Sequence, residues 1–399
     1  MQKHSTGLSR EILVAIILTC AAASLFAQGK DRVGVTTYYF SDSGRNSVIS
    51  TSLNLAKQIL EQTIVLLDVE MDNVAAPPVT AVTGATRPQQ RAPAQLQQGK
   101  KKMRSVDDDK VFKKTRLQAI IGLQQEISPT TSFSGSFYRS QEVDYVSNSA
   151  IGTFNQELFE RNTVVTLRGQ YSADDVGEII EGGELLSKKK KAMNAALMVT
   201  QILSPTTVLD LSYDFMHMNG FLSDPYRRVE VFNPDGSLDT LLDGTSPKEF
   251  HPDDRIRHAG TARISQSIPF IETAVIGSYR YYADTWAIRS STVEMKLNKY
   301  IVNDLMVSAQ YRYYTQTGAS FYRDRYVGSV FLHEAYRTAD YKLRNFNANS
   351  FGIGLTWFLR GLSDLEFLQD SSFEVRCFRY FNTLDFSATI LQGGLTFSI

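Results

Sequence analysis

After the tetrapeptide SPTT at Ser204–Thr207, the chain places Leu209, Leu211, Tyr213 and Phe215 at every second position, with Asp210, Ser212 and Asp214 between them. A strand sends successive side chains to opposite faces, whereas a helix would spread these residues around its axis. The period of two therefore predicts a strand with one apolar and one polar face. A second SPTT, at Ser128–Thr131, precedes a similar run from Ser132 to Phe137. The pattern recurs without those letters in ETAVIGSYRYYADT and DLMVSAQYRYYTQT, where Val275, Tyr279 and Tyr281, and then Val307, Tyr311 and Tyr313, share a face. Another alternating run precedes each of these, such as LQAIIGLQQEI, ALMVTQIL or VEMKLNKY. The repeating unit is thus a hairpin with a short turn. In SPTT the proline presets φ for the turn, and the flanking hydroxyls favour local hydrogen bonds, so the tetrapeptide reads as punctuation rather than as a catalytic motif.

Sixteen strands are expected, beginning near Val33, Val48, Thr63, Phe112, Thr131, Ala150, Asn162, Ala192, Thr206, Arg255, Thr273, Ile288, Leu305, Phe346, Ser372 and Ala388. Long polar segments alternate with the short turns. One of them, residues 73–110, is rich in Pro, Gln and Lys and is expected to be a long mobile loop. The expected fold is all-β: a single transmembrane antiparallel up-and-down β-barrel of sixteen strands, with short periplasmic turns and long extracellular loops. Lipid offers the backbone no hydrogen-bond partner, so such a sheet must close on itself. Tyr279, Tyr281, Tyr311, Tyr313 and Trp357 are placed to form its aromatic girdle.

The termini and the composition agree with export. Residues 1–27 read as a cleaved signal peptide, with Lys3 and Arg10 ahead of a short apolar run that ends in small residues at Ala27. Residues 28–399 are then the barrel, and Cys377 is the single cysteine left, so no internal disulfide can form. The chain carries 42 basic and 42 acidic side chains, which gives no reason to expect nucleic acid as a partner. Mean hydropathy is slightly negative, which a barrel with half its residues facing inward tolerates. The final octapeptide, QGGLTFSI, places Gln392, Gly394, Phe397 and Ile399 in a pattern that resembles the C-terminal signal read by the outer-membrane assembly machinery. Such barrels more usually end in Phe or Trp, and Ile399 departs from that. The expected location is the cell outer membrane. The expected partners are its lipid, the barrel-assembly machinery and periplasmic envelope proteins.

Three segments carry a family resemblance: VTAVTGATRP, SQEVDYVSNSA and ERNTVVTLRGQYSADD. They resemble recurrent stretches of a bacterial domain-of-unknown-function family whose members look like outer-membrane β-barrels. The resemblance runs from Val33 to the C-terminus and is more specific in the first half. It implies a location and an architecture, and a redox setting through the thioredoxin-like and flavin-transfer proteins encoded beside its members. It implies no catalytic residue and no ligand.

The polar parity of the strands carries the candidate site residues: Glu142, Asp144, Arg168, Asp210, Asp214, Arg263, Arg280, Arg312, Glu374 and Arg376. They are expected to line the lumen. Their mixed signs fit either pairs that brace the wall or a polar passage with weak ion preference. Porin-like passage of small solutes is the first expectation. A structural scaffold or partner-binding barrel of an envelope complex is the alternative, and a barrel-embedded hydrolase is the third. No cofactor, metal or enzymatic activity is expected. Met216, His217 and Met218 offer soft-metal ligands, but alternation sends the histidine to one face and both methionines to the other. His251, His258 and His333 lack metal-ligand spacing, and none has an obvious serine partner for hydrolysis. Lys188–Lys191 read as a solvated strand start or a contact to lipid phosphate.

Overall fold

The computed structural model describes residues 31–76, 112–179, 184–239, 246–328, 336–361 and 366–398. The expected signal peptide, His333, Ile399 and most of the expected loop at 73–110 lie outside them. Sixteen strands close into one antiparallel barrel. The first nine are β1 (Arg32–Asp42), β2 (Ser47–Leu60), β3 (Thr63–Ala76), β4 (Phe112–Ser128), β5 (Thr131–Gln141), β6 (Tyr145–Leu158), β7 (Thr163–Ile179), β8 (Leu185–Ser204) and β9 (Thr207–Gly220). After two short strands, β10 (Val231–Phe232) and β11 (Leu238–Asp239), the wall resumes with β12 (Asp254–Ile268), β13 (Thr273–Asp284), β14 (Arg289–Val302) and β15 (Leu305–Gln316). The short β16 (Tyr326–Val327) precedes β17 (Phe346–Phe358), β18 (Ser372–Asn382) and β19 (Ser387–Ser398). β19 pairs with β1 from Arg32↔Ser398 to Asp42↔Ala388, which closes the sheet.

The register explains the alternation. Ile121, Phe137, Ala150, Tyr171 and Met193 lie side by side across five strands, and each of these residues is exposed. Leu, Ile, Phe and Tyr side chains continue this outward layer around the barrel. A contiguous apolar surface of that extent suits a bilayer, not water. The expected girdle residues Tyr279, Tyr281, Tyr311, Tyr313 and Trp357 all stand on this outer face.

Fourteen of the sixteen expected strand starts agree with the structure to within one residue. The two others are corrected. β6 begins at Tyr145 rather than Ala150, and β8 at Leu185 rather than Ala192. Over Ser147–Ser149 and Ser187–Lys191 both faces are polar, so alternation of hydrophobicity disappears while the strand persists. Lys188 and Lys190 turn inward toward Glu178 and Asp174, and Lys189 turns outward to Asp175. The lysine run is therefore interior to a strand. Likewise, β3 runs on to Ala76, past the expected loop start at residue 73.

Both SPTT turns lie at the same end of the barrel, joining β4 to β5 and β8 to β9. Their geometry repeats. Ser128 Oγ donates to Thr131 Oγ1 at 2.9 Å, and Ser204 Oγ donates to Thr207 Oγ1 at 2.8 Å. A register shift precedes each turn, and the two-residue turns after β2 and β14 have one as well. Such bulges sharpen the local twist where the strand must reverse. The end is not uniformly short, however: residues 359–371 connect β17 to β18 there, through Leu359 N donating to Ser371 O at 2.9 Å.

Candidate functional site: the barrel interior

The rows opposite the apolar ones face the interior, and eight of the ten candidate residues lie on them: Arg168, Asp210, Asp214, Arg263, Arg280, Arg312, Glu374 and Arg376. Glu142 and Asp144 sit at the β5–β6 turn, where Lys114 bridges them. Arg376 pairs with Glu374, and Arg263 stands 3.9 Å from Asp210. Among the described residues, Arg168, Asp214, Arg280 and Arg312 have no ion-pair partner within 4.0 Å. Met216 and Met218 face inward and His217 outward, where its Nε2 lies 2.6 Å from Asp254 Oδ2.

At the end away from the SPTT turns, the interior of β3 to β8 carries a network of paired charges, and Arg168 and Asp214 stand outside it. Arg116 Nε donates to Asp72 Oδ2 at 2.6 Å. Asp174 accepts from Tyr145 OH at 2.6 Å and from Ser147 Oγ at 2.7 Å, and Lys190 Nζ lies 2.9 Å away. Lys188 and Lys248 converge on Glu178. Ions taken partly out of water are tolerable because each has a partner and added hydrogen bonds.

The side built by β15, β17, β18, β19 and β1 differs. Its inward row carries Tyr314, Phe346, Phe378, Tyr380, Tyr38 and Phe40. Together with Tyr341 and Phe386 they enclose a cavity of about 670 Å³ that opens to the interior. The rings brace one another: centroids are 5.6 Å apart for Tyr314 and Phe346, and 5.9 Å for Tyr380 and Phe386. Small residues between them make the wall concave. Gly352 lies beside Phe378, and a Cβ there would overlap the ring.

At the end away from the SPTT turns, residues 221–239 and 246–253 fold together with residues 317–328 and 336–345 as a cap. β10 pairs with β11 and with β16, joining the two loops in one small sheet. Its core holds Val229, Val231 and Tyr326, and a second cluster joins Trp286, Ile288, Ala319, Phe321 and Leu343. Lys248 ties the cap to Glu178 on the inner wall. Glu249 is its hub, with a side chain 0% exposed. It lies 3.0 Å from His251 Nε2 and 3.2 Å from Arg227 Nη1, and accepts from Thr338 Oγ1 at 2.9 Å. Burial alone would raise its pKa; the His251 ring, the Arg227 charge and the Thr338 hydroxyl outweigh burial and hold it at about 2.

Two features escaped sequence reasoning. The inward aromatic wall had a readable signal in adjacent aromatics: Tyr38–Tyr39, Tyr313–Tyr314 and Tyr380–Phe381. A strand must turn one of each pair inside. The other feature is a polar clamp repeated at the short-turn rim: Thr63, Thr131, Thr163 and Thr207 each donate to a cross-strand glutamine at 2.6–2.9 Å. It depends on register and could not be read beforehand. Gln392 and Gly394 lie on the inner row of β19, and Phe397 on the outer row, opposite Val33.

The model of a family described as "Protein of unknown function (DUF3570)" matches residues 15–181 and 178–371. No curated protein matches the chain. Among solved structures, the chain is similar to one described as a bacterial polysaccharide outer membrane secretin, with a TM-score of 0.51 and 7% identity over 94% of this chain and 99% of that one. It is also similar to a BenF-like porin from Pseudomonas fluorescens Pf-5 (TM-score 0.44, 7% identity, 94% and 100% covered). A third is the siderophore receptor PirA from Acinetobacter baumannii (TM-score 0.47, 8% identity, 89% of this chain and 53% of that one). At these identities the likeness concerns the fold alone, a closed antiparallel β-barrel of the kind found in the outer membrane.

Proposed function

The chain belongs to the DUF3570 family of proteins of unknown function, and from that premise and the geometry of its interior we propose that it passes small polar solutes across the outer membrane. The carrying observation is the exposure of inward-facing cations. Arg168, Arg280 and Arg312 are exposed although they stand on interior rows, and the Arg263 side chain is 50% exposed. An interior packed shut would bury these groups or pair them; an interior filled with water leaves them hydrated and able to set ion preference. Location in the outer membrane is supported by the exposed apolar rows and by Gln392, Gly394 and Phe397 in an assembly-signal pattern. In that orientation the SPTT end faces the periplasm and the cap faces outward.

The purified barrel in a planar bilayer is expected to give stepwise ionic conductance. The packed cap, with its own apolar core, favours the second reading, a barrel that holds partners rather than passing solutes. A silent bilayer, with periplasmic proteins recovered on the purified barrel, selects that reading.

A further inference from the structure

We propose that the aromatic cavity on the β15–β1 side of the interior binds aromatic carboxylates, with the ring against Phe378 and Tyr380 and the carboxylate on Arg312. The inference deepens the passage reading and rests on it only for the route by which a solute reaches the site. Register places Arg312, Ser350 and Tyr380 side by side on adjacent strands. On the neighbouring tier lie Gln310, Gly352 and Phe378. Two residues without bulk thus separate the cationic strand from the two rings, and the cavity between them lies within the range of small-molecule sites.

The charge and hydrogen-bonding state of the lining selects the ligand. Among the described residues no carboxylate lines the cavity, while Arg312 and Lys342 both do. Among the described residues, Arg312 has no ion-pair partner within 4.0 Å, although Glu294 is its cross-strand neighbour on β14. A guanidinium that faces aromatic surroundings without a partner suits a planar anion, which it can hold through two parallel hydrogen bonds. The amides at the upper edge are already engaged. Gln316 Nε2 donates to Arg344 O at 2.6 Å and Gln316 Oε1 accepts from Tyr314 OH at 2.6 Å, while Asn382 Oδ1 accepts from Leu384 N at 2.9 Å. A sugar would need many such groups free along its rim. A ring bearing one carboxylate needs apolar faces and a single cation, and the cavity offers both.

Isothermal titration of the full-length barrel in detergent tests this, with benzoate, acetate and maltose as probes. Benzoate is expected to bind saturably, and acetate at least about tenfold more weakly, because it lacks the ring that packs against the aromatic wall. Arg312→Gln is expected to weaken benzoate about tenfold or more, in keeping with the loss of a charge-assisted hydrogen bond. Gly352→Ala, which displaces the Phe378 ring, should also weaken it, with heat-modifiable gel mobility confirming that each variant is folded. Acetate binding as tightly as benzoate, maltose binding in preference, or unchanged benzoate affinity in both folded variants would each overturn the assignment. Conductance indifferent to benzoate, with no heat of binding, leaves passage standing and removes this site. Benzoate binding to a barrel that does not conduct keeps the site and removes passage.

Discussion

The two sides of the interior use similar residues to opposite ends. At the ends of β3 to β8 away from the SPTT turns, lysines and arginines meet aspartates and glutamates, and hydroxyls add hydrogen bonds: Asp174 alone has Tyr145, Ser147 and Lys190 around it, while Arg168, lower on β7, stands outside this network. On β13 to β15, Arg280 and Arg312 have no ion-pair partner within 4.0 Å among the described residues, and the strands beyond them carry rings. Charge in a lumen is thus of two kinds. Paired charge braces the wall and supports the cap, whereas unpaired charge beside an apolar cavity is available to a solute. Substitutions on the first side should act on stability, and those on the second on what passes.

The largest effect is expected inside the cap that Lys248 ties to that first side. Glu249→Ala removes the acceptor shared by Thr338 Oγ1, Ala339 N, His251 and Arg227, of which Arg227 keeps Asp224 and Asp340, and should cost the cap about 3–5 kcal/mol, read as loss of amide-exchange protection in residues 224–239, 246–251 and 337–340. The same contact makes the cap sensitive to acid. Because Glu249 is held at about 2 against an ordinary 4.5, its contribution is complete above pH 4.5 and is lost as the pH falls toward 2. Within the wall, Asp174→Ala should cost about 3 kcal/mol in urea unfolding, with little change in conductance. Gly352→Ala, on the aromatic side, crowds Phe378 and should cost about 1–3 kcal/mol while altering solute binding. Thr207→Val removes one rim clamp, Thr207 Oγ1 to Gln266 Oε1 at 2.7 Å, for about 1 kcal/mol. Arg312→Gln should change stability least, within about 0.5 kcal/mol, yet alter ion preference. If it destabilised as much as Asp174→Ala, the division between the two sides would fail.

The wall was legible because a bilayer imposes one apolar face on every strand, and a period of two then marks each of them. Legibility ended where that constraint ends. Above the apolar band, Ser147–Ser149 and Ser187–Lys191 are still strand, but both faces are polar there and the pattern goes quiet. Eight of the ten candidate residues could be assigned to the inner face by parity alone, whereas Glu142 and Asp144 fall on the turn between β5 and β6. Which of them pair could not, because pairing depends on neighbours brought in by register: Arg263 meets Asp210 across β12 and β9, while Arg312 opposite Glu294 forms no ion pair. The cap was hidden for another reason. Its core residues, Val229, Val231, Phe321 and Leu343, come from two distant loops with no periodicity of their own.

The most direct test of the central claim is the reversal potential of single barrels in a planar bilayer under a salt gradient, comparing the native chain with a variant carrying Arg280→Gln and Arg312→Gln. Conductance is expected in both, with a shift toward cation preference in the variant, since two hydrated cations of β13 and β15 would be gone. A bilayer that stays silent, or a reversal potential identical in the two proteins, would contradict it.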